Sequence, residues 1–293
     1  MAHNSSTMPR AVEDGTSNPA AVRRDSVTQP GKFTWTPLGG CEEDIRICSI
    51  IPGPDDAPVE VVLRNARLEE HARQYACLSY SWGDKTTVRG LVLNGFAYTV
   101  PGNLHLHLTR LRALGVTQDL WIDLLCIDQA NLAERSQQVR LMGRIFSNAK
   151  MTFLAVDEGG QVLQPSAIEK AFLDLSHGSH LHDLRSFSCD DTGQEGTSPG
   201  NNIATQQLRR ILVSSFWTRC WTVQETVLAR EAVLMGEWGT FSWVLLREAS
   251  LAYDYHRQNC CVAFVDSVTT DIRSGCYQVG NQNSRDLSMG VRD

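Results

Sequence analysis

Side chains able to do chemistry concentrate in three stretches of the chain. The first runs from Tyr75 to Asp84 and carries Ser79, Trp82 and Asp84. The second runs from Leu120 to Gln129 and carries Asp123. The third runs from Phe216 to Glu225, an aromatic-rich stretch with helical spacing that carries Trp221 and the acid Glu225. On a helix the neighbours of Glu225 three and four residues away are Trp221, Thr222, Leu228 and Ala229. A carboxyl among such groups is partly desolvated, which raises its pKa and suits it to acid–base work. Ser79, Trp82 and Asp84 follow a short β-like run and are expected near Asp123, on one rim of a pocket. In open α/β sheets ligands bind beyond the carboxyl ends of strands. Each group also has a plainer role open to it. The Trp-Gly-Asp turn can simply end a strand, Asp84 can cap a helix, the tryptophans can fill core, and Glu225 can pair with Arg219 or Arg230.

Other chemistries fit less well. His177, His180 and His182 lie near Cys189, Asp190 and Asp191, but without the paired spacing of zinc ligands. They read as exposed histidines, and no metal site is expected. Cys126 sits in an apolar run with no base in reach, so a buried structural thiol is expected. Cys260 and Cys261 read as idle thiols. Gly39-Gly40 and Gly159-Gly160 match neither phosphate-loop fingerprint.

The elements that must hold these residues can be read from periodicity. Residues 1–30 are rich in Ser, Thr, Asn and Pro and read as a disordered tail. Ile45, Ile47, Ser49 and Ile51 alternate as in a strand, and Val59–Leu63 and Tyr75–Tyr80 form two more. Leu91–Leu93 and Tyr98–Val100 flank Asn94-Gly95, the dipeptide of a tight hairpin. Leu104, Leu108, Leu111 and Leu114 share one helical face. Leu120–Ile127 is a nearly continuous apolar run of the length of a buried parallel strand. Asn131 with Glu134 resembles a capping box and opens a helix to about Ala149. Met151–Val156 predicts the next strand, adjacent and parallel to Leu120–Leu125. A short helix follows near Ile168–Leu175, a longer one from Leu208 to Ala229 with Trp217, Trp221 and Leu228 on one face, and a strand at Ala232–Met235. Strand, helix, strand in this rhythm implies right-handed crossovers. The expected fold is α/β, a mainly parallel sheet with an N-terminal β extension and a hairpin insert. The domain is expected over residues 31–250, with 251–293 a C-terminal tail.

Bulk properties narrow the function classes. The 293 residues are 42% hydrophobic and 20% charged, as in an ordinary globular protein. A net charge of -6 argues against nucleic-acid binding, which needs basic surface. No apolar run is long enough for a membrane span, and residues 1–15 lack the apolar centre of a secretory signal. The chain therefore reads as cytosolic or nuclear, with a cytoplasmic protein the expectation, and its nine cysteines, an odd number without secretory context, read as reduced, mostly buried thiols.

In order, Leu78–Asp84, Trp121–Gln129 with Glu134-Arg135 and Gln138–Met142, and Arg219–Glu225 resemble the sequence blocks of the fungal heterokaryon-incompatibility (HET) domain. Asp128 stands where the family often has Asn. The resemblance implies allorecognition with programmed cell death, and partners that are copies of the chain or other incompatibility proteins. HET domains are in turn similar to TIR domains, which have a flavodoxin-like fold. Leu78-Ser79-Tyr80 with Asp84, and Trp221 with Glu225, match TIR positions, with Thr222 in place of a Cys. That likeness implies an innate-immunity-like role, with Glu225 as catalyst and NAD as substrate rather than cofactor. Ser79, Trp82, Asp84, Asp123 and Trp221 would then contact substrate. The other reading is a non-catalytic scaffold that signals by self-association.

Overall fold

The computed structural model describes residues 29, 31–83, 86–156, 165–180, 211, 214–237 and 239–260. Nine strands form one sheet: β1 (Asp44–Ile50), β2 (Glu60–Arg67), β3 (Tyr75–Tyr80), β4 (Val88–Leu93), β5 (Phe96–Pro101), β6 (Asp119–Trp121), β7 (Met151–Ala155), β8 (Ala232–Gly236) and β9 (Gly239–Ser242). Among the described residues, six α-helices accompany them: α1 (Gly102–Ala113), α2 (Asp123–Cys126), α3 (Leu132–Asn148), α4 (Pro165–Ser176), α5 (Cys220–Val227) and α6 (Trp243–Asn259). No helix among the described residues is long and apolar enough to cross a membrane.

The sheet order is β5-β4-β2-β1-β6-β3-β7-β8-β9. The expectation of a mainly parallel sheet is corrected: four neighbouring pairs are parallel and four antiparallel. The parallel character is concentrated in β6-β3-β7-β8, with β2–β4 the one parallel pair outside it. Numbered by their own appearance in the chain, those four strands run 2-1-3-4. The hairpin insert and the N-terminal extension are not separate layers. They continue the same sheet outward from β6 through β1.

Local chemistry explains the elements closest to the site. The hairpin turns at Asn94 and Gly95, whose φ values of 49° and 84° are the positive pair a type I′ turn requires. Asn94 also fastens the turn to β2: its Oδ1 accepts from the Leu63 N–H at 2.6 Å and its Nδ2 donates to the Leu63 carbonyl at 3.0 Å. α3 begins where Asn131 accepts from the Glu134 N–H. Only half of the capping box forms, because the Glu134 carboxylate turns instead to Arg46 on β1. Arg46 donates to both Glu134 oxygens, at 2.5 and 3.0 Å, and to the carbonyls of Thr36 and Cys126. A guanidinium 1% exposed is thereby fully engaged at the centre of the sheet.

Three further expectations are revised. Leu120–Ile127 is not one strand: β6 stops at Trp121 and the chain turns through α2. The run is apolar because Ile122, Leu125, Cys126 and Ile127 are all buried, and burial does not need extended backbone. Met151–Ala155 is parallel to β6 but not adjacent, since β3 lies between them. The helix expected over Leu208–Ala229 is, among its described residues, a 3₁₀ turn at Ser215–Thr218 followed by the shorter α5. Trp217 therefore packs into core while Trp221 and Leu228 stay exposed. α6 runs past residue 250, to Asn259.

Two hydrophobic clusters share the sheet. The larger spans β1 to β7 with α1 and α3; the smaller joins β7, β8 and β9 to α4, α6 and the 3₁₀ turn. α5 lies beside the boundary, and Gly143 marks its close approach to α3: a Cβ there would stand 2.8 Å from the Gln224 amide nitrogen.

Candidate functional site

The carboxyl ends of β3 and β6 are adjacent, and α5 packs against β3 and β7. Ser79, on β3, is 2% exposed, so its hydroxyl needs a partner within the protein. That partner is Glu225 of α5, whose carboxylate accepts the Ser79 O–H. Just beyond β3, the Trp82 indole N–H donates to Asp123 Oδ2 at 2.8 Å. Asp123 opens α2, and its Oδ1 accepts the Leu124 N–H at 2.7 Å. The Gln129 amide donates to the Asp123 carbonyl at 3.0 Å, which holds the turn closed. Arg219 completes the join by donating to the Tyr80 carbonyl, tying the start of α5 to the end of β3.

These groups border one cleft of about 280 Å³. Trp82, Asp123, Trp221 and Glu225 line it, together with Arg135, Arg219 and the apolar Ile127 and Met142. Ser79 lies behind Glu225, out of the lining. Asp84 falls outside the described residues. Trp221 is 43% exposed and forms an aromatic lip rather than core. Sequence reasoning did not single out Arg135 as a site residue, and treated Arg219 only as a possible ion-pair partner. A Glu-Arg pair opening a helix gives no sign of which way each side chain turns. Here Glu134 turns inward to Arg46 and Arg135 to the cleft.

The electrostatics set two acids against one buried background. Burial raises the Glu225 pKa, the negative charge of Asp123 adds to that, and the Ser79 hydroxyl and Arg219 work against it. Burial likewise raises Asp123, opposed by the Trp82 and Leu124 donors and by Arg219. The site thus holds two carboxyls of raised pKa, two guanidinium groups and two indoles around one small cavity. Such a set can bind a polar ligand with an anionic part, stack a ring, and stabilise developing positive charge. Cys126 is fully buried and accepts a long contact from the Ile122 N–H at 3.4 Å, the setting of a structural thiol.

Fold and site together define an α/β domain with an acid-bearing cleft at the carboxyl edge of its parallel strands. The chain belongs to the heterokaryon incompatibility protein (HET) family, whose model matches residues 75–225, just over half its length. The match opens at the first residue of β3 and closes on Glu225. The chain is also similar to "Heterokaryon incompatibility protein 6, OR allele" of Neurospora crassa, with 28% identity over 191 residues. That alignment covers 54% of this chain and 28% of the relative, so the chain spans little more than a quarter of the relative's length. No solved structure matches the chain.

Proposed function

We propose that this domain acts in heterokaryon incompatibility, in the cytoplasm, and triggers programmed cell death by cleaving NAD at its nicotinamide glycosidic bond. The observation that carries the enzymatic part is Glu225, a carboxyl 5% exposed, held by Ser79 at the wall of the cleft. The 2-1-3-4 order of the parallel block supports the TIR-like reading, since it is the doubly wound order of flavodoxin-like sheets. In such sheets ligands bind where the strand order reverses, which here is the crevice beyond the carboxyl ends of β3 and β7, beside α5.

The chemistry follows from the groups present. The bond between ribose C1′ and the nicotinamide nitrogen breaks, and the electron pair leaves with the nitrogen. Positive charge builds on the ribose as an oxocarbenium-like centre, which a carboxylate beside it stabilises. Water then adds to C1′ and loses a proton, giving ADP-ribose. Glu225 is the candidate catalytic residue, Ser79 positions it, and the indoles of Trp82 and Trp221 offer faces for stacking the rings.

A second reading, a non-catalytic scaffold that works by association between copies, is favoured by Val223 and Val227. These apolar residues on α5 are 61% and 74% exposed, one helical turn apart. Induced expression in a fungal host, with NAD and viability followed together, separates the two. Glu225→Gln should abolish both NAD loss and killing while the protein stays folded by circular dichroism. Killing by the Gln form at the wild-type level would remove the enzymatic reading and leave the scaffold.

A further inference from the structure

Outside the cleft, the end of α6 carries a second cluster of chemically competent groups. His256 and Cys260 stand four residues apart, His256 in the last turn of α6 and Cys260 just beyond its end. On a helix that spacing puts both side chains on one face. The third member, His180, comes from the chain just after α4, and the sequence gives no sign of this meeting because 76 residues separate His180 from His256. The Cys260 Sγ lies 3.0 Å from His256 Nδ1 and 3.3 Å from His180 Nδ1. All three donor atoms lie within 4.8 Å of one another. His256 is buried, His180 half-buried and Cys260 exposed. His177, expected with His180 in one exposed group, is exposed and lies outside this cluster.

We propose that His180, His256 and Cys260 form a binding site for a zinc-class divalent cation, clipping α6 to α4. The donor set is two imidazoles and one thiolate, the combination that borderline-soft ions prefer over calcium or magnesium. For the two sulfur–nitrogen pairs, at 3.0 and 3.3 Å, the geometry is close to what such an ion needs. Zn–S and Zn–N bonds of about 2.3 and 2.0 Å at tetrahedral angles put neighbouring donors roughly 3.3–3.6 Å apart. Both imidazoles already turn the same nitrogen, Nδ1, toward the sulfur. Binding takes the thiolate and two neutral imidazoles, so one thiol proton passes to solvent and acid weakens the complex. Three protein ligands leave the fourth tetrahedral position to water or another donor. The two helices joined this way also meet through the smaller core, where Phe172 and Leu175 of α4 cluster with Leu246 and Ala249 of α6.

The test uses the full chain, stripped with EDTA and titrated with Zn²⁺ against a chromogenic chelator, and separately with Co²⁺. One equivalent should bind, Co²⁺ should give a thiolate-to-cobalt charge-transfer band, and Zn²⁺ should raise Tm. Cys260→Ser should abolish the band and weaken Zn²⁺ binding at least tenfold, while Cys41→Ser, at an exposed thiol elsewhere, should change neither. His180→Ala, at a half-buried position, should also cost at least tenfold, and replaces any His256 variant that fails to fold. If the wild-type chain gives no charge-transfer band, or if Cys260→Ser and His180→Ala bind Zn²⁺ as the wild type does, the cluster is only a thiol hydrogen-bonded between two imidazoles.

Discussion

Glu225 is held between burial and the Asp123 charge, which favour its proton, and the Ser79 hydrogen bond and Arg219 charge, which favour its ionised form. The balance lies on the side of the proton, and this has a consequence for stability. An acid whose pKa is raised on folding stabilises the fold fully below its ordinary pKa and loses that contribution as pH rises through the folded value. The Tm of the wild type should therefore fall relative to that of Glu225→Gln as pH rises from the ordinary carboxylate range upward, as scanning calorimetry at several pH values would show. Ser79→Ala removes the hydrogen bond that opposes burial, so it should push the Glu225 pKa higher still. If the ionised form drives NAD cleavage, the acid limb of the rate profile should move to higher pH in Ser79→Ala, and an unmoved limb would mean that Ser79 only packs. Glu134 shows the opposite balance. Burial raises its pKa, but the hydrogen bonds and charge of Arg46, with the Asp128 N–H, outweigh that and lower it. Its contribution is present above the ordinary carboxylate range and lost as pH falls through the depressed value. Glu134→Gln leaves the Arg46 charge buried without its counter-charge and should cost about 3 kcal/mol in urea unfolding, near the lower end for breaking a buried pair.

Among the elements, the turn after β3 is the most exacting. Gly83 has a φ of 60°, and a Cβ there would stand 2.9 Å from the Asn103 side-chain nitrogen, which donates to the Ser81 carbonyl. Gly83→Ala should cost about 1–2 kcal/mol from the left-handed backbone alone. Because the displaced Asn103 anchors the same turn, Trp82 should also lose its hold on Asp123, and activity should fall by more than the stability loss explains. Comparing urea unfolding with the rate of NAD loss checks both parts. This turn was legible in the sequence, as were the Asn94-Gly95 hairpin, α3 and β3, because each is dictated by residues within a few positions of one another. What was not legible depends on partners far along the chain. The apolar run after Asp119 reported burial faithfully, yet nothing in it marks Trp121 as the last paired residue. The insertion of β3 between β6 and β7 is a choice of sheet order, and hydrophobic patterning is the same for either order. The grouping of Ser79, Trp82, Asp123 and Glu225 was visible through motif blocks. The Arg46–Glu134 pair and the bond from Arg219 to Tyr80 join positions 88 and 139 residues apart, and no local pattern encodes them.

For the molecule as a whole, the cleft borders the larger core through Trp82, Ile127 and Met142, and its charge differs from that of the chain as a whole. The chain carries a net charge of -6, which disfavours the approach of an anionic dinucleotide. The cleft nevertheless sets Arg135 and Arg219 at its edge, beside the carboxyls of Asp123 and Glu225. Arg219 is also structural, because it holds α5 against β3, so its loss would confuse binding with folding. Arg135 is exposed, sits in the first turn of α3 and lines the cleft without bracing it, which makes it the cleaner probe. If a diphosphate is held at this edge, a planar guanidinium is well suited to grip it. Arg135→Gln should then raise the KM for NAD roughly tenfold, the equivalent of about 1.4 kcal/mol of lost binding, and leave kcat nearly unchanged. Added salt should weaken NAD binding to the wild type more than to Arg135→Gln, because screening acts on the charge that the variant lacks. A fall in kcat at constant KM would place Arg135 at the reacting centre instead, and no change in either constant would put the diphosphate elsewhere on the domain.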